Sequence, residues 1–181
     1  MLWLLSLTNL TYEGYTMTKP ITHNDFTNAI NLIKRVNKNF IKTNNIQISK
    51  DIKPFKSYND LITRYDGIMP YDTDNATNTI YSSKHNNASY SSKHSNALFR
   101  VVHDYLHLTY KLKFTLADET VVSSLHQDMI VNYGIDRGFD TDIITLACRI
   151  MYIDIVKQAE YYWTNRTYVK NQLKFCLDHL A

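Results

Sequence analysis

Apolar residues recur at helical spacing through the first third of the chain. Between residues 23 and 43 ("HNDFTNAINLIKRVNKNFIKT") they fall three and four positions apart, which predicts an amphipathic helix with Asn24 as its N-cap. "SYNDLITRYDG" predicts a short second helix that Ser57 caps. Only "NIQIS", residues 45–49, alternates as a strand does. This part of the chain is therefore predicted to hold two helices and one short strand.

The same spacing predicts four helices in the second half of the chain. Ser95 is the expected cap of the first, Thr115 caps the second, and Gly134 is expected to end it. The four predicted helices cover residues 95–112, 115–134, 140–164 and 167–180. Because only a few residues join the first two, they should fold as an antiparallel helical hairpin.

A polar stretch, residues 67–94, interrupts this pattern. It ends in a tandem near-repeat, "YSSKHNNAS" then "YSSKHSNAL", and is predicted to be a loop that covers the hairpin. Only four glycines and three prolines occur in 181 residues, which favours long helices. The sequence predicts a mostly α, single-domain bundle of about five or six helices at 17–181, preceded by a peripheral segment at 1–16.

Charge and cysteine content narrow the function classes only slightly. The net charge is +3, and seven basic residues cluster at 34–56, as either a solvated face or a strip that contacts nucleic acid or nucleotide phosphates. Cys148 and Cys176 are not spaced as a ligand pair. The apolar run near the N-terminus is too short to cross a bilayer, so no membrane partner is expected.

Histidines and acidic residues concentrate on the predicted hairpin. In "HDYLH", His103 and His107 lie four residues apart and share a helix face. Glu119 and His126 lie seven residues apart, two turns, and share a face of the next helix. Three imidazoles and a carboxylate suit Zn, Mn or Fe, with Glu119 as fourth ligand or general base and Asp104 as a second catalytic candidate. Chance also produces such pairs, so a core histidine bonded to a backbone carbonyl is the alternative for His103.

The stretch "HSNALFRVVHDYLH", continued by "KFTLADETVVSSLH", resembles a family of largely uncharacterised tailed-phage proteins. Their shared pattern is close to H-x-N-x-x-F-R-x-V-H-D, followed by a second His, a Phe, a Glu and a further His. The matching residues here are His94, Asn96, Phe99, Arg100, Val102, His103, Asp104, His107, Phe114, Glu119 and His126. The family usually has HDxxGH where this chain has the shorter "HDYLH". The resemblance implies a phage origin, in the host cytoplasm or the virion, and a preserved polar cluster.

These observations favour a metal-dependent hydrolase acting on a phosphate-bearing substrate, with Arg100, His94 and Asn96 facing that substrate. The alternative is a non-enzymatic virion-associated or host-takeover binding protein whose histidine cluster is structural. An HD phosphohydrolase would instead join the His103–Asp104 doublet to His85 and Asp154, but the residues around the doublet do not resemble that class.

Overall fold

Helices account for most of the structure. The computed structural model describes residues 20–73, 80–81 and 91–181, with side chains from residue 93 onward in the last range. The elements are α1 (His23–Thr43), β1 (Gln47–Ser49), α2 (Tyr58–Arg64), β2 (Ile68–Pro70), α3 (Ser91–Tyr110), α4 (Leu116–Asp136), α5 (Thr141–Tyr152), α6 (Gln158–Asn165) and α7 (Gln172–Leu180). α5 continues through a π-helical segment (Ile153–Lys157) into α6, so the described residues form six separate helices.

The predicted fold class, a mostly helical single domain of about five or six helices, is confirmed. The predicted peripheral segment at 1–16 lies outside the described residues. So does most of the predicted polar loop, of which 74–79 and 82–90 are not described.

Three apolar clusters among the described residues hold the helices together. The largest lies between α1, α4, α5 and the π segment, and its fully buried members include Leu32, Ile130, Leu146, Ile150 and Met151. A smaller cluster joins α2 and β2 to α3 through Leu61, Met69 and Val101. A third cluster packs α3 against α4 through Val102, Leu106 and Val122. Burying each such side chain contributes about 1.5–3 kcal/mol.

The turn between α3 and α4 forms as the short connection predicts. Lys111 adopts a left-handed backbone conformation with φ of 56°, and the Leu112 N–H donates to the His107 carbonyl oxygen across 3.0 Å. This is the closing hydrogen bond of a Schellman turn. Thr115 then caps α4 as expected, because its hydroxyl accepts from the Asp118 N–H at 3.2 Å.

The predicted starts of α1 and α3 are wrong. Thr22, not Asn24, caps α1: its hydroxyl accepts from the Asp25 N–H at 3.1 Å, and the Asp25 carboxylate accepts from the Thr22 N–H at 3.0 Å. This reciprocal pair satisfies two N–H groups that Asn24 would leave open. Helix α3 begins at Ser91 because no glycine or proline stops it before Ser95, which is buried inside the helix.

The predicted end of α4 and start of α7 also differ from the structure. Gly134 lies inside α4 rather than ending it, because α5 packs so closely there that a Cβ would stand 2.7 Å from Ile144 Cγ1. Helix α7 begins at Gln172 rather than Thr167, since Asn171 is the residue whose side chain accepts from the Lys174 N–H.

A two-stranded parallel sheet joins β1 to β2. The expected strand within 45–49 is present, and Ile48 is in register with Met69. Its partner falls at the start of the stretch predicted to be loop, so that prediction is wrong at 68–70. The buried side chain of Met69 anchors this short sheet against α3.

Candidate metal centre

Three side chains of the α3–α4 hairpin bring their polar atoms together. The Nε2 atoms of His103 and His107 are 3.1 Å apart. Glu119 Oε2 lies 3.4 Å from His103 Nε2 and 3.5 Å from His107 Nε2. The three residues, here called the His/Glu group, are the set among the described residues whose ligand atoms could hold a metal ion. The sequence prediction of a metal site is confirmed to that extent.

The spacing of these three atoms fits one face of a tetrahedral metal site. Zinc bonds to nitrogen at about 2.0–2.1 Å, so neighbouring ligand atoms around a tetrahedral zinc ion stand about 3.3 Å apart. The observed separations of 3.1, 3.4 and 3.5 Å bracket that value. Two histidines and one carboxylate are also a ligand set of catalytic zinc sites, in which the fourth position is left to water or substrate.

The backbone turn orients His107. This residue is 0% exposed, and its Nδ1 lies 3.1 Å from the Leu112 carbonyl oxygen. Because that oxygen can only accept, Nδ1 carries the proton and Nε2 turns its lone pair toward Glu119. The edge of the ring also packs against Phe114, with the two ring centroids 4.6 Å apart. The Schellman turn that ends α3 thus also fixes the tautomer of a ligand, as backbone carbonyls do at metal sites.

Burial and the neighbouring side chains together set the charges of His103 and Glu119. Burial lowers the pKa of His103 to about 3, although the neighbouring Glu119 acts in the opposite direction, so this imidazole is neutral at pH 7. For Glu119, burial raises the pKa, but the neighbouring His103 and His107 outweigh it and the net pKa is lowered. A position in the first turn of α4, near the positive end of the helix dipole, favours the carboxylate as well.

His126, the third predicted imidazole, lies next to the group and not within it. Its side chain is 1% exposed and stacks on His103, with the ring centroids 6.0 Å apart and the planes 19° from parallel. Burial lowers the pKa of His126 to about 3, so the ring is neutral. Glu119, near the start of α4, contacts both His103 and His107. His126, two turns further along α4, stacks on His103, which is the earlier of the two histidines in α3. The two helices therefore run antiparallel, as predicted. Metal ligation by His126 stays a prediction.

A cleft of about 290 Å³ opens on the His/Glu group. His103 and Glu119 form part of its wall, together with Asn96, Arg100 and Asp104. Burial raises the pKa of Asp104 to about 6, while Arg100 acts against that rise. Four residues predicted for the catalytic, ligand or substrate roles therefore face one cavity beside His103.

His94, the remaining predicted substrate-facing residue, is not among the residues that line this cleft. It packs edge-on against Tyr71, whose hydroxyl contacts His94 Nδ1. His94 therefore lies in the first turn of α3 and contacts the residue that follows β2. Its substrate role stays a prediction.

Asp154 is a cleft residue that the predicted metal site did not include. It lies in the π segment, faces the cleft, and accepts from Gln158 Nε2 at 2.5 Å. Gln172 of α7 in turn donates to Gln158 Oε1 at 2.9 Å. Burial raises the pKa of Asp154 to about 7, with Arg100 acting to lower it. The sequence signal for Asp154 is a single carboxylate within the apolar run "IMYIDIV". Only the HD phosphohydrolase alternative gave this residue a role.

The basic segment at 34–56 meets the cleft at one of its ends. Of its charged residues, Lys56 lines the cleft, whereas Lys34 and Lys38 lie on α1 and, after burial, help to lower the pKa of His94. No helix among the described residues is long and apolar enough to cross a membrane. Binding of nucleic acid through this segment stays a prediction.

Comparison with known proteins adds no relative: the chain matches no protein family, no curated protein and no solved structure.

Proposed function

We propose that the protein is a metal-dependent hydrolase that acts on a phosphate-bearing substrate. The observation that carries the proposal is the triangle of His103 Nε2, His107 Nε2 and Glu119 Oε2, whose sides of 3.1, 3.4 and 3.5 Å fit a tetrahedral metal. Three protein ligands leave one coordination position for water, and a metal-bound water is a nucleophile near neutral pH. His103 and Glu119 line a cavity that a small substrate can enter, and a metal held by them would be next to it.

The charges around the cleft support a phosphate group only when a cation is bound. Carboxyl groups of Asp104, Glu119 and Asp154 line it, against the cationic side chains of Lys56 and Arg100. An anion entering this cavity would meet more negative than positive charge. A divalent ion on the His/Glu group reverses the balance, and Arg100 then offers a planar guanidinium that suits phosphate oxygens.

The carboxyl groups divide between two roles in this proposal. Glu119 is a metal ligand, since its oxygen lies within 3.5 Å of both imidazoles. Asp104 follows His103 directly and faces the cleft, which makes it the candidate that takes a proton from the attacking water. The ion would be zinc, manganese or iron, because imidazole and carboxylate ligands suit all three. The resemblance of residues 94–126 to tailed-phage proteins supports a phage-encoded enzyme of the host cytoplasm or virion.

Elemental analysis of the purified chain tests the metal site. We expect about one equivalent of a transition metal per chain, lost in His107→Ala and in Glu119→Gln. His179→Ala is the matched control, because His179 is an exposed histidine of α7 whose Nδ1 bonds to the Phe175 carbonyl oxygen, outside the His/Glu group. With free metal at 100 times its dissociation constant, the wild type should gain about 2.7 kcal/mol of stability and His107→Ala should gain none.

Hydrolysis separates the enzyme from the alternative, a binding protein with a structural cluster. The metal-loaded chain should hydrolyse p-nitrophenyl phosphate or its diester, and Asp104→Asn should slow the reaction while keeping the metal. A chain that binds one metal ion yet hydrolyses neither ester, with a melting temperature that depends on the metal, would support the structural role. A chain that cannot be loaded with zinc, manganese or iron would refute the site itself.

A further inference from the structure

Three of the aromatic side chains that line the cleft come from α6 and the link that follows it. Tyr162 and Trp163 lie on α6, and Tyr168 follows in the link to α7; together they are called the aromatic rim. Trp163 is 42% exposed and Tyr168 is 74% exposed. Side chains this exposed contribute little to the hydrophobic core, so part of each ring stays open to a ligand in the cleft.

The backbone holds the rim in place. Arg166 adopts a left-handed conformation with φ of 55°, and its N–H donates to the Tyr162 carbonyl oxygen at 2.8 Å. This turn brings Tyr168 back onto Tyr162, and the two rings stack with centroids 4.6 Å apart and planes 25° from parallel. The Arg166 guanidinium lies over the Trp163 ring, 4.9 Å from its centroid. Flat aromatic surfaces are thus fixed at the cleft before any ligand arrives.

The lining of the cleft combines two kinds of chemistry. His103, Glu119 and Arg100 suit a metal-bound phosphate, and the aromatic rim suits a planar ring. A nucleotide is a substrate class that carries a phosphate and a flat heteroaromatic ring in one small molecule. A cavity of about 290 Å³ matches a ligand of that size rather than a long polymer.

We infer that the substrate is a mononucleotide, whose base stacks on the aromatic rim while its phosphate reaches the His/Glu group. This inference rests on the proposed function, because the metal is what makes the cleft attractive to phosphate. It adds the substrate class, and it assigns Tyr168 and Trp163 as the residues that contact the base.

Calorimetric titration of the zinc-loaded full chain with AMP and with ribose 5-phosphate tests the inference. The two probes share sugar and phosphate and differ in the base. Because stacking one base on an aromatic side chain strengthens binding by about tenfold, AMP should bind about ten times more tightly. Tyr168→Ala and Trp163→Ala should each reduce that ratio without changing the affinity for ribose 5-phosphate. Tyr110→Ala is the matched control, since Tyr110 is 56% exposed and is not among the cleft residues.

Each other outcome overturns the inference. Equal binding of AMP and ribose 5-phosphate, or binding of neither, removes the base site. Binding of a single-stranded oligothymidylate in place of AMP, lost in Tyr168→Ala, would mean that the rim serves nucleic acid. Failure of the proposed function is distinguishable, because it appears as absence of metal or of phosphate-ester hydrolysis. Equal binding of the two probes with metal-dependent hydrolysis intact refutes the nucleotide inference alone.

Discussion

Asp154 should make the stability of the protein depend on pH in a way that one substitution removes. Burial raises the pKa of this carboxyl to about 7 in the folded chain, against an ordinary value of 3.8. A raised pKa means that the folded state holds the proton more tightly than the unfolded state. The contribution to stability is therefore complete below about pH 4 and is lost as the pH rises to about 7.

The size of the effect follows from the width of that window. Each pH unit between the two pKa values changes the free energy of unfolding by about 1.36 kcal/mol. Raising the pH from 5 to 8 crosses about two of those units, so the wild type should lose about 2 to 3 kcal/mol relative to a variant that cannot ionise there. The lower figure allows for the partial solvent access of Asp154.

Asp154→Asn is the perturbation, because the amide keeps the shape of the carboxyl group and can still bond to Gln158. Urea denaturation of both proteins at pH 5 and pH 8, with metal removed by a chelator, gives the four free energies required. At each pH, the free energy of unfolding of the wild type is subtracted from that of the variant. We expect this difference to be about 2 to 3 kcal/mol larger at pH 8 than at pH 5. An equal difference at both pH values would show that Asp154 does not titrate in this window, and would refute the reasoning.

Two further predictions concern the helix contacts that position the centre. Gly134→Ala should destabilise the protein by about 1–3 kcal/mol despite the better helix propensity of alanine, because the new Cβ would stand 2.7 Å from Ile144 Cγ1 and 2.8 Å from its Cδ1. Chemical denaturation measures this loss of stability. Adding Ile144→Ala to Gly134→Ala should relieve part of the packing strain. If Gly134→Ala alone leaves the stability unchanged, the close approach is contradicted. Lys111→Gly should stabilise the hairpin by about 1 kcal/mol, because φ of 56° strains any residue with a Cβ. A lower melting temperature for Lys111→Gly would contradict that reading of the turn.

Local sequence rules accounted for the hairpin and most of its centre. His103 and His107 needed only the four-residue spacing of a helix, and Glu119 needed only the Thr115 cap that starts α4. Where those rules failed, tertiary contact was the cause. Glycine is typical of a helix end, but Gly134 lies inside α4, where its lack of a side chain allows α5 to approach closely.

His126 shows the limit of the facing argument. Helical spacing places it two turns after Glu119 on the same face of α4, which was enough to predict that it meets the histidines of α3. Spacing does not fix how far each ring reaches or which way it turns. In the structure His126 stacks on the flat face of His103 at 6.0 Å between centroids, while the shorter approach belongs to Glu119.

Periodicity predicts the helix that carries Asp154 but not the direction in which its polar face points, and the π segment is one physical reason. The apolar spacing of residues 140–164 predicts one regular helix, and the chain does run continuously from α5 to α6. Hydrogen bonds in the π segment span one residue more than in an α-helix, and each residue turns an α-helix by about 100°. The side chains that follow Ile153–Lys157 are therefore rotated by about one position from where a regular helix would put them. Asp154, Gln158 and Tyr162 lie four residues apart, so helical spacing alone places them on one face, and all three line the cleft. The rotation that the π segment adds is not part of the apolar pattern, so which neighbouring helix this face meets could not be predicted from the sequence.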